Sequence, residues 1–265
     1  MQKKVTKTVK GLTKKERIDN IENAYKENEI IEAKVIRYDD NFNLIVDFGK
    51  KIEGIIYRDD VSLVRNEEGI VPENVVIGNL NRKIKLKVKK IDNEGQYKYV
   101  LSKKDVEVES RKWMQNNLKK NMIMYGKVRS IQSYGVFIEI LEGVVGLLHI
   151  EDISVARTKH PSERFRIGQK VKVMVKDFDK DTGRVILTYK ELFGTWEENA
   201  AKFKEGTNVE GIARDREKNG IFVELTPNLV GLAEHRSGIE YGQKVTVYIK
   251  KIVPEKKRIK LVIVG

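Results

Sequence analysis

One pattern occurs three times along the chain and constrains its fold more than any other feature. "GVFIEILEGVVGLLH" at 135–149 returns as "GIFVELTPNLVGLAE" at 220–234 and, more distantly, as "NLIVDFGKKIEGIIY" at 43–57. From the first residue of each copy to the glycine before its last apolar run (Gly146, Gly231 or Gly54) is 11 residues, with the same apolar alternation between. Register and spacing kept together mark a tandem repeat of one small structural unit.

The segment after each copy repeats as well. A glycine turn leads into a second alternating run, "IGQKVKVMVKDFD", "YGQKVTVYIKKIV" or "IGNLNRKIKLKVKKID", and a short apolar strand closes the unit: "GRVILT", "KRIKLVIV" or "YKYVLS". About five short strands per unit, set apart by turn residues, predict a small antiparallel barrel or sandwich and not a parallel sheet. At 265 residues the chain has room for three such units, each able to bury a core of its own.

The connections carry a helix signal. Thr13–Glu16, Ser102–Asp105 and Thr188–Glu191 each place an acid three positions after a hydroxyl residue, the spacing that satisfies orphan amides at a helix start. Trp196, Ala200 and Phe203 then follow at helical spacing, a stripe expected to pack on a barrel. Each barrel is thus predicted to be preceded by a helix.

Side chains alternate across a strand, so Val136, Ile138 and Ile140 share one face and Phe137 with Glu139 the other. A face that carries Glu139 is expected to be wet. The third unit repeats the phase, with Phe222 and Glu224 outward, and the first puts Ile45 and Asp47 there. Phe137 and Phe222 are therefore predicted to be partly exposed. Gly135 is expected to allow a bulge or an unusual backbone angle that swings Tyr134 to the same side. A formal charge of +13 points to a polyanion, and an exposed aromatic pair in a basic protein suits base stacking. Covering a barrel edge is the other use of such a ring.

Residues 125–188 carry "YGKV", "YGVFIEI", "GLLHI", "IGQKVKV" and "DFDKDTGRVILT". This run resembles the S1 RNA-binding domain, the repeated module of bacterial ribosomal protein S1. The resemblance is good but shortened in the third unit and weak in the first. It implies three tandem five-stranded antiparallel OB-fold barrels joined by short helices, a mainly β protein. OB-folds hold oligonucleotides across their second and third strands. Carried over residue by residue, the resemblance makes Tyr134 and Phe137 the stacking aromatics and His149 the histidine beside them. Asp179 and Arg184 become the acidic and basic contacts near the last strand. The long loop of this unit and the strand start after it add Arg157, Lys159, Arg164, Arg166, Lys170 and Lys172 as a phosphate-tracking surface, unless the run is simply solvated.

The other units depart from the pattern. The third keeps Phe222 and Arg258 but has Asn219, Glu234 and Val253 where the second has Tyr134, His149 and Asp179. Its contact with RNA is expected to be weaker and mostly electrostatic. The first keeps Phe42 but has Ile45, Tyr57 and Lys98 at the phenylalanine, histidine and arginine positions, and its long loop is acidic. It is expected to dock a protein or to be structural.

The predicted organisation is a basic tail and helix at 1–29, a divergent barrel at 30–102, a linker helix at 103–121, the best-matching barrel at 122–188, a linker helix at 189–205 and a shortened barrel at 206–265. No phosphate-binding glycine loop, nucleophile elbow, metal-ligand spacing or cysteine is present in the sequence. Neither catalysis nor a cofactor nor a metal is expected. No cysteine is present, the N-terminus is lysine-rich without an apolar core, and no run approaches the roughly 18 apolar residues of a membrane span, so a soluble, cytoplasmic protein is expected; a monomer is expected as well. The resemblance implies that it binds single-stranded RNA, in translation at the small ribosomal subunit. An accessory role in RNA turnover and a protein-docking adaptor are the alternatives.

Overall fold

The computed structural model describes residues 5–6, 12–217 and 220–265. Most of the expected basic tail, and Asn219, lie outside them. The first barrel is built from β2 (Ile30–Tyr38), β3 (Leu44–Asp47), β4 (Glu53–Ile56), β5 (Lys83–Ile91) and β6 (Tyr99–Ser102), after the two-residue strand β1 (Val5–Thr6) and helix α1 (Lys14–Lys26). Between β4 and β5 the chain makes one short helix, α2 (Glu73–Ile77). Helix α3 (Lys104–Asn117) comes next.

The second barrel comprises β7 (Ile123–Gln132), β8 (Gly135–Leu141), β9 (Val144–His149), β10 (Lys170–Phe178) and β11 (Val185–Thr188). After α4 (Trp196–Ala200), the third comprises β12 (Asn208–Glu217), β13 (Gly220–Thr226), β14 (Leu229–Ala233), β15 (Lys244–Val253) and β16 (Arg258–Ile263). By packing the chain divides into two units, 1–117 with 141–144, and 118–140 with 145–265.

All three barrels close by one rule. In the second, the order is β7–β8–β9–β11–β10 with β10 returning to β7, and only the β9–β11 pair is parallel. The first and third repeat this order and this one parallel pair. That is the five-stranded OB-fold barrel. Alternation fills the interior as expected: Val136, Ile138, Val173, Val175 and Leu187 are buried. Each such aliphatic side chain removed from water stabilises the fold by about 1.5–3 kcal/mol.

Two of the three helix starts are as the sequence predicts. Thr13 Oγ1 accepts from the Glu16 amide at 3.3 Å while Glu16 accepts from the Thr13 amide at 2.7 Å. Ser102 Oγ accepts from the Asp105 amide at 3.0 Å. The third is different. Thr188 is the last residue of β11, and its buried hydroxyl turns to the Asp152 carbonyl at 3.5 Å instead of capping a helix. The expected linker helix is reduced to a 3-10 turn at Lys190–Phe193 and the five-residue α4, capped by Thr195 and Glu198. Trp196 and Phe203 pack against the third barrel's core with Ala200, the role expected of that stripe.

On the outer faces, Phe137 and Phe222 are half-buried, as alternation predicts. Two neighbours correct that reading. Ile45, expected outward in the first barrel, is only 1% exposed because Ile55 and Val100 extend it into a second apolar cluster, flanked by Ile36 and Tyr97. Glu224, expected on a wet face, is 4% exposed, for a reason that lies in the second barrel's long loop.

Candidate nucleic-acid interface

Tyr134 occupies the two-residue turn between β7 and β8, where Gln132 pairs with Gly135. Its ring is 49% exposed and meets Phe137 edge-on, with centroids 6.1 Å apart and planes at 90°. Gly135 is needed here for closeness and not for an unusual backbone angle. A Cβ on it would fall 2.5 Å from the Leu148 carbonyl and 3.2 Å from His149 Cα. The bare backbone lets the start of β8 press against the end of β9. One hydrogen bond locks that approach, the Ile150 amide to the Tyr134 carbonyl at 2.9 Å. The turn aromatic, the strand aromatic and His149 are thereby brought to one patch.

His149 ends β9 and caps the short turn after it, its Nδ1 accepting from the Glu151 amide at 3.4 Å. The imidazole is 42% exposed. Because β11 lies beside β9, Ile186 faces Leu147 across the ladder, and Arg184 lies just before β11 begins. Arg184 is exposed, and among the described residues its guanidinium makes no hydrogen bond and no ion pair within 4 Å, though its charge acts on the Asp179 carboxylate. Asp179 has local work instead. Its Oδ1 accepts from the Asp181 and Thr182 amides at 2.9 and 3.3 Å and so shapes the β10–β11 turn. The Thr182 hydroxyl first, and these amides next, hold its carboxyl below the usual carboxylate range.

Three of the six cations expected to track phosphates face the third barrel. Arg157 pairs with Asp215 at 3.0 Å, Lys159 Nζ lies 4.1 Å from the centre of the Tyr241 ring, and Arg164 pairs with Glu224. Arg214 grips the same carboxylate at 2.6 Å and also reaches Glu163 at 3.3 Å, which accepts from Tyr241 Oη at 2.7 Å. Burial works against the charged form of Arg214, yet its bond to Glu224 holds the pKa above the ordinary value. This explains the buried Glu224: two guanidiniums replace the water it loses. Two further bonds cross the same seam, Val155 amide to Pro227 carbonyl at 3.0 Å and Ser154 hydroxyl to that carbonyl at 2.7 Å. Arg166 remains exposed. In the third barrel, Phe222 lies between Asp215 on β12 and Leu232 on β14, and Arg258 is exposed at the start of β16.

The corresponding patch of the first barrel is occupied by its own residues. Phe42 stacks on Tyr38, with centroids 5.5 Å apart and planes 4° from parallel, and Arg58 lies 5.0 Å from the Phe42 ring centre. Lys98, at the arginine position, pairs with Glu22 at 2.8 Å. Tyr57, at the histidine position, is 49% exposed. One aromatic that sequence reasoning passes over is Tyr125 on β7, 75% exposed. Its signal is present in the sequence, since alternation with Met124 and Gly126 already turns it outward.

Residues 117–190 match the S1 RNA binding domain. The chain is 33% identical over 271 residues to small ribosomal subunit protein bS1 of Staphylococcus aureus strain N315, covering 93% of this chain and 62% of that protein. It is 30% identical to the protein of the same name from Rhizobium meliloti strain 1021, covering 92% of this chain and 48% of that one. The chain therefore spans half to three fifths of the length of these relatives. Among solved structures, GSP13 from Bacillus subtilis is 25% identical over 34% of this chain and 75% of its own, with a TM-score of 0.29. The S1 RNA binding domain is thus matched on the second barrel, and bS1 relatives align along nearly the whole chain.

Proposed function

We propose that the protein binds single-stranded RNA through the β8–β9–β11 face of its second barrel, acting without catalysis, in the cytoplasm, in translation at the small ribosomal subunit. The observation that carries this reading is the patch of Tyr134, Phe137 and His149 on the strands where OB-folds hold oligonucleotides, with the exposed Arg184 beside it. The rings offer stacking surfaces to any base, and the guanidinium offers a phosphate or base-plane contact. The translational setting rests on the likeness to bS1. Phe222 and Arg258 supply a sparser version of the same face.

Fluorescence anisotropy of labelled single-stranded RNA against rising salt tests this. Tyr134→Ala/Phe137→Ala is expected to weaken binding by about 2 kcal/mol or more with the salt slope kept, because each stack is worth about 1–3 kcal/mol. Unchanged affinity would sink the reading.

A second reading applies to the first barrel alone, which we assign to protein docking. Its outer ladder is sealed by Ile45, Ile55 and Val100, its cation Lys98 is neutralised, and its long loop exposes Asp59, Glu67 and Glu68. Association with ribosomes that survives RNase trimming and is lost with this barrel is the expected result. Complete release by RNase would exclude it.

A further inference from the structure

The three barrels differ at one register position on the flank formed by their first and fourth strands. In the first barrel Glu32 on β2 faces Lys85 on β5, and in the third Glu210 on β12 faces Thr246 on β15. In the second barrel the same position is Tyr125 on β7, facing Lys172 on β10. Two residues further along β7, Lys127 faces Lys170. All four side chains are exposed, and among the described residues none of the three lysines has an acid within ion-pair distance. The nearest carboxylate across the ladder, Glu139, faces Lys127 on β8 but is held by Arg129. Arg166 and the 72%-exposed Ile167 stand in the turn just before Lys170.

An exposed ring ringed by unpaired cations combines the two features that hold single-stranded nucleic acid. An acid at this position in the neighbouring barrels would repel phosphates. From Ser130, which faces Phe137, to Tyr125 is five residues along β7. At about 3.4 Å per residue that is roughly 17 Å, too far for both rings to share one base. We propose that Tyr125, Lys127, Lys170 and Lys172 form a second RNA contact on the second barrel, which stacks one base and holds the phosphates of the strand leaving the Tyr134–Phe137 patch. The proposal rests on the RNA-binding reading above and extends the footprint of that face along β7.

Anisotropy on the full chain with two labelled RNAs, one of about 6 nucleotides and one of about 20, tests it, since a single barrel covers about 4–16 nucleotides. Tyr125→Ala is expected to weaken the longer RNA about tenfold and leave the shorter unchanged, as losing one stack would. Tyr125→Phe keeps the ring and is expected to bind as the parent does, while Tyr125→Glu, which copies the other two barrels, weakens the longer RNA further. Lys172→Ala is expected to lower the salt slope by about one. If Tyr125→Ala changes neither RNA while Tyr134→Ala/Phe137→Ala weakens both, the second contact is overturned, the RNA-binding reading stands, and the patch faces a protein. If neither variant weakens either RNA, both fall together.

Discussion

The first and second barrels share a strand order and a register, yet they use the same outer ladder in opposite ways. In the first, Ile45, Ile55 and Val100 run across β3, β4 and β6 as a closed apolar cluster. Tyr97 flanks that cluster, held by a 3.1 Å bond from Arg37 to its hydroxyl. In the second, the corresponding positions are Phe137, Leu147 and Ile186, all half-exposed. What differs is the flanking residue. The pairing of Ile91 with Tyr99 and of Phe178 with Val185 aligns Tyr97 with Gly183, which has no side chain to cover anything and sits at a φ of +72°. The bulges after Val35 and Val128 likewise align Ile36 with Arg129, which turns to Glu139. One barrel has thus closed this ladder into a second core, and the other leaves it open. What keeps the ladder open is the side chains left off its flank.

The largest expected effect separates these two uses. Ile45→Ala should remove about 2–5 kcal/mol from the stability of the first barrel, the usual cost of emptying a well-packed site, with RNA affinity unchanged. Phe137→Ala, at the same register position, should do the reverse and cost less than about 1 kcal/mol of stability. Denaturant titration beside anisotropy reads both. Comparable stability losses in the two would show that the second barrel's ring is structural and erase the distinction.

A smaller effect sharpens it within the second barrel, between two arginines that the sequence assigns alike. Arg164 is mostly buried against Glu224, whereas Arg184 is exposed and, among the described residues, outside ion-pair distance of any acid. Arg164→Ala should cost about 1.5–3 kcal/mol, typical of a charged hydrogen bond, and loosen the seam between the second and third barrels. Its RNA affinity should change little. Arg184→Ala should leave the melting curve in place and weaken RNA binding, with a salt slope lower by about one. A reduced salt slope for Arg164→Ala would return that residue to the phosphate-tracking surface.

The repeat makes most of the fold legible, because strand alternation and glycine spacing are local and recur at fixed offsets. The half-exposure of Phe137 and Phe222 and the Thr13–Glu16 cap come from the same local rules. The misses are all non-local. Nothing within β13 says that Glu224 will be buried, since the guanidinium of Arg164 that helps seal it comes from a loop 60 residues earlier. Thr188 has the spacing of a cap, but the Asp152 carbonyl claims its hydroxyl. Gly135 has the look of a turn residue in sequence, whereas its function is to admit the backbone of a neighbouring strand. For the candidate patch, the sequence supplies residue types. It does not tell which cations are held by an ion pair or a ring, and that distinction divides Arg184 from Arg157, Lys159 and Arg164.

The smallest expected effect concerns Asp179, which resembles an RNA contact in sequence and a turn residue in structure. Its carboxylate accepts from the Asp181 and Thr182 amides, and its pKa lies below the ordinary carboxylate value. A carboxyl whose folded pKa is depressed stabilises the folded state above its unfolded value, and the contribution disappears as pH falls through the folded value. Asp179→Ala should therefore lower the melting temperature slightly near neutral pH, less than Ile45→Ala or Arg164→Ala, and the difference from the parent should vanish in acid. Asp179→Asn keeps an acceptor oxygen for the turn and should retain most of the stability at every pH. If both variants melt like the parent but Asp179→Asn weakens RNA binding, the carboxylate's charge is serving the ligand. The β10–β11 turn would then belong to the open face of the second barrel along with Arg184.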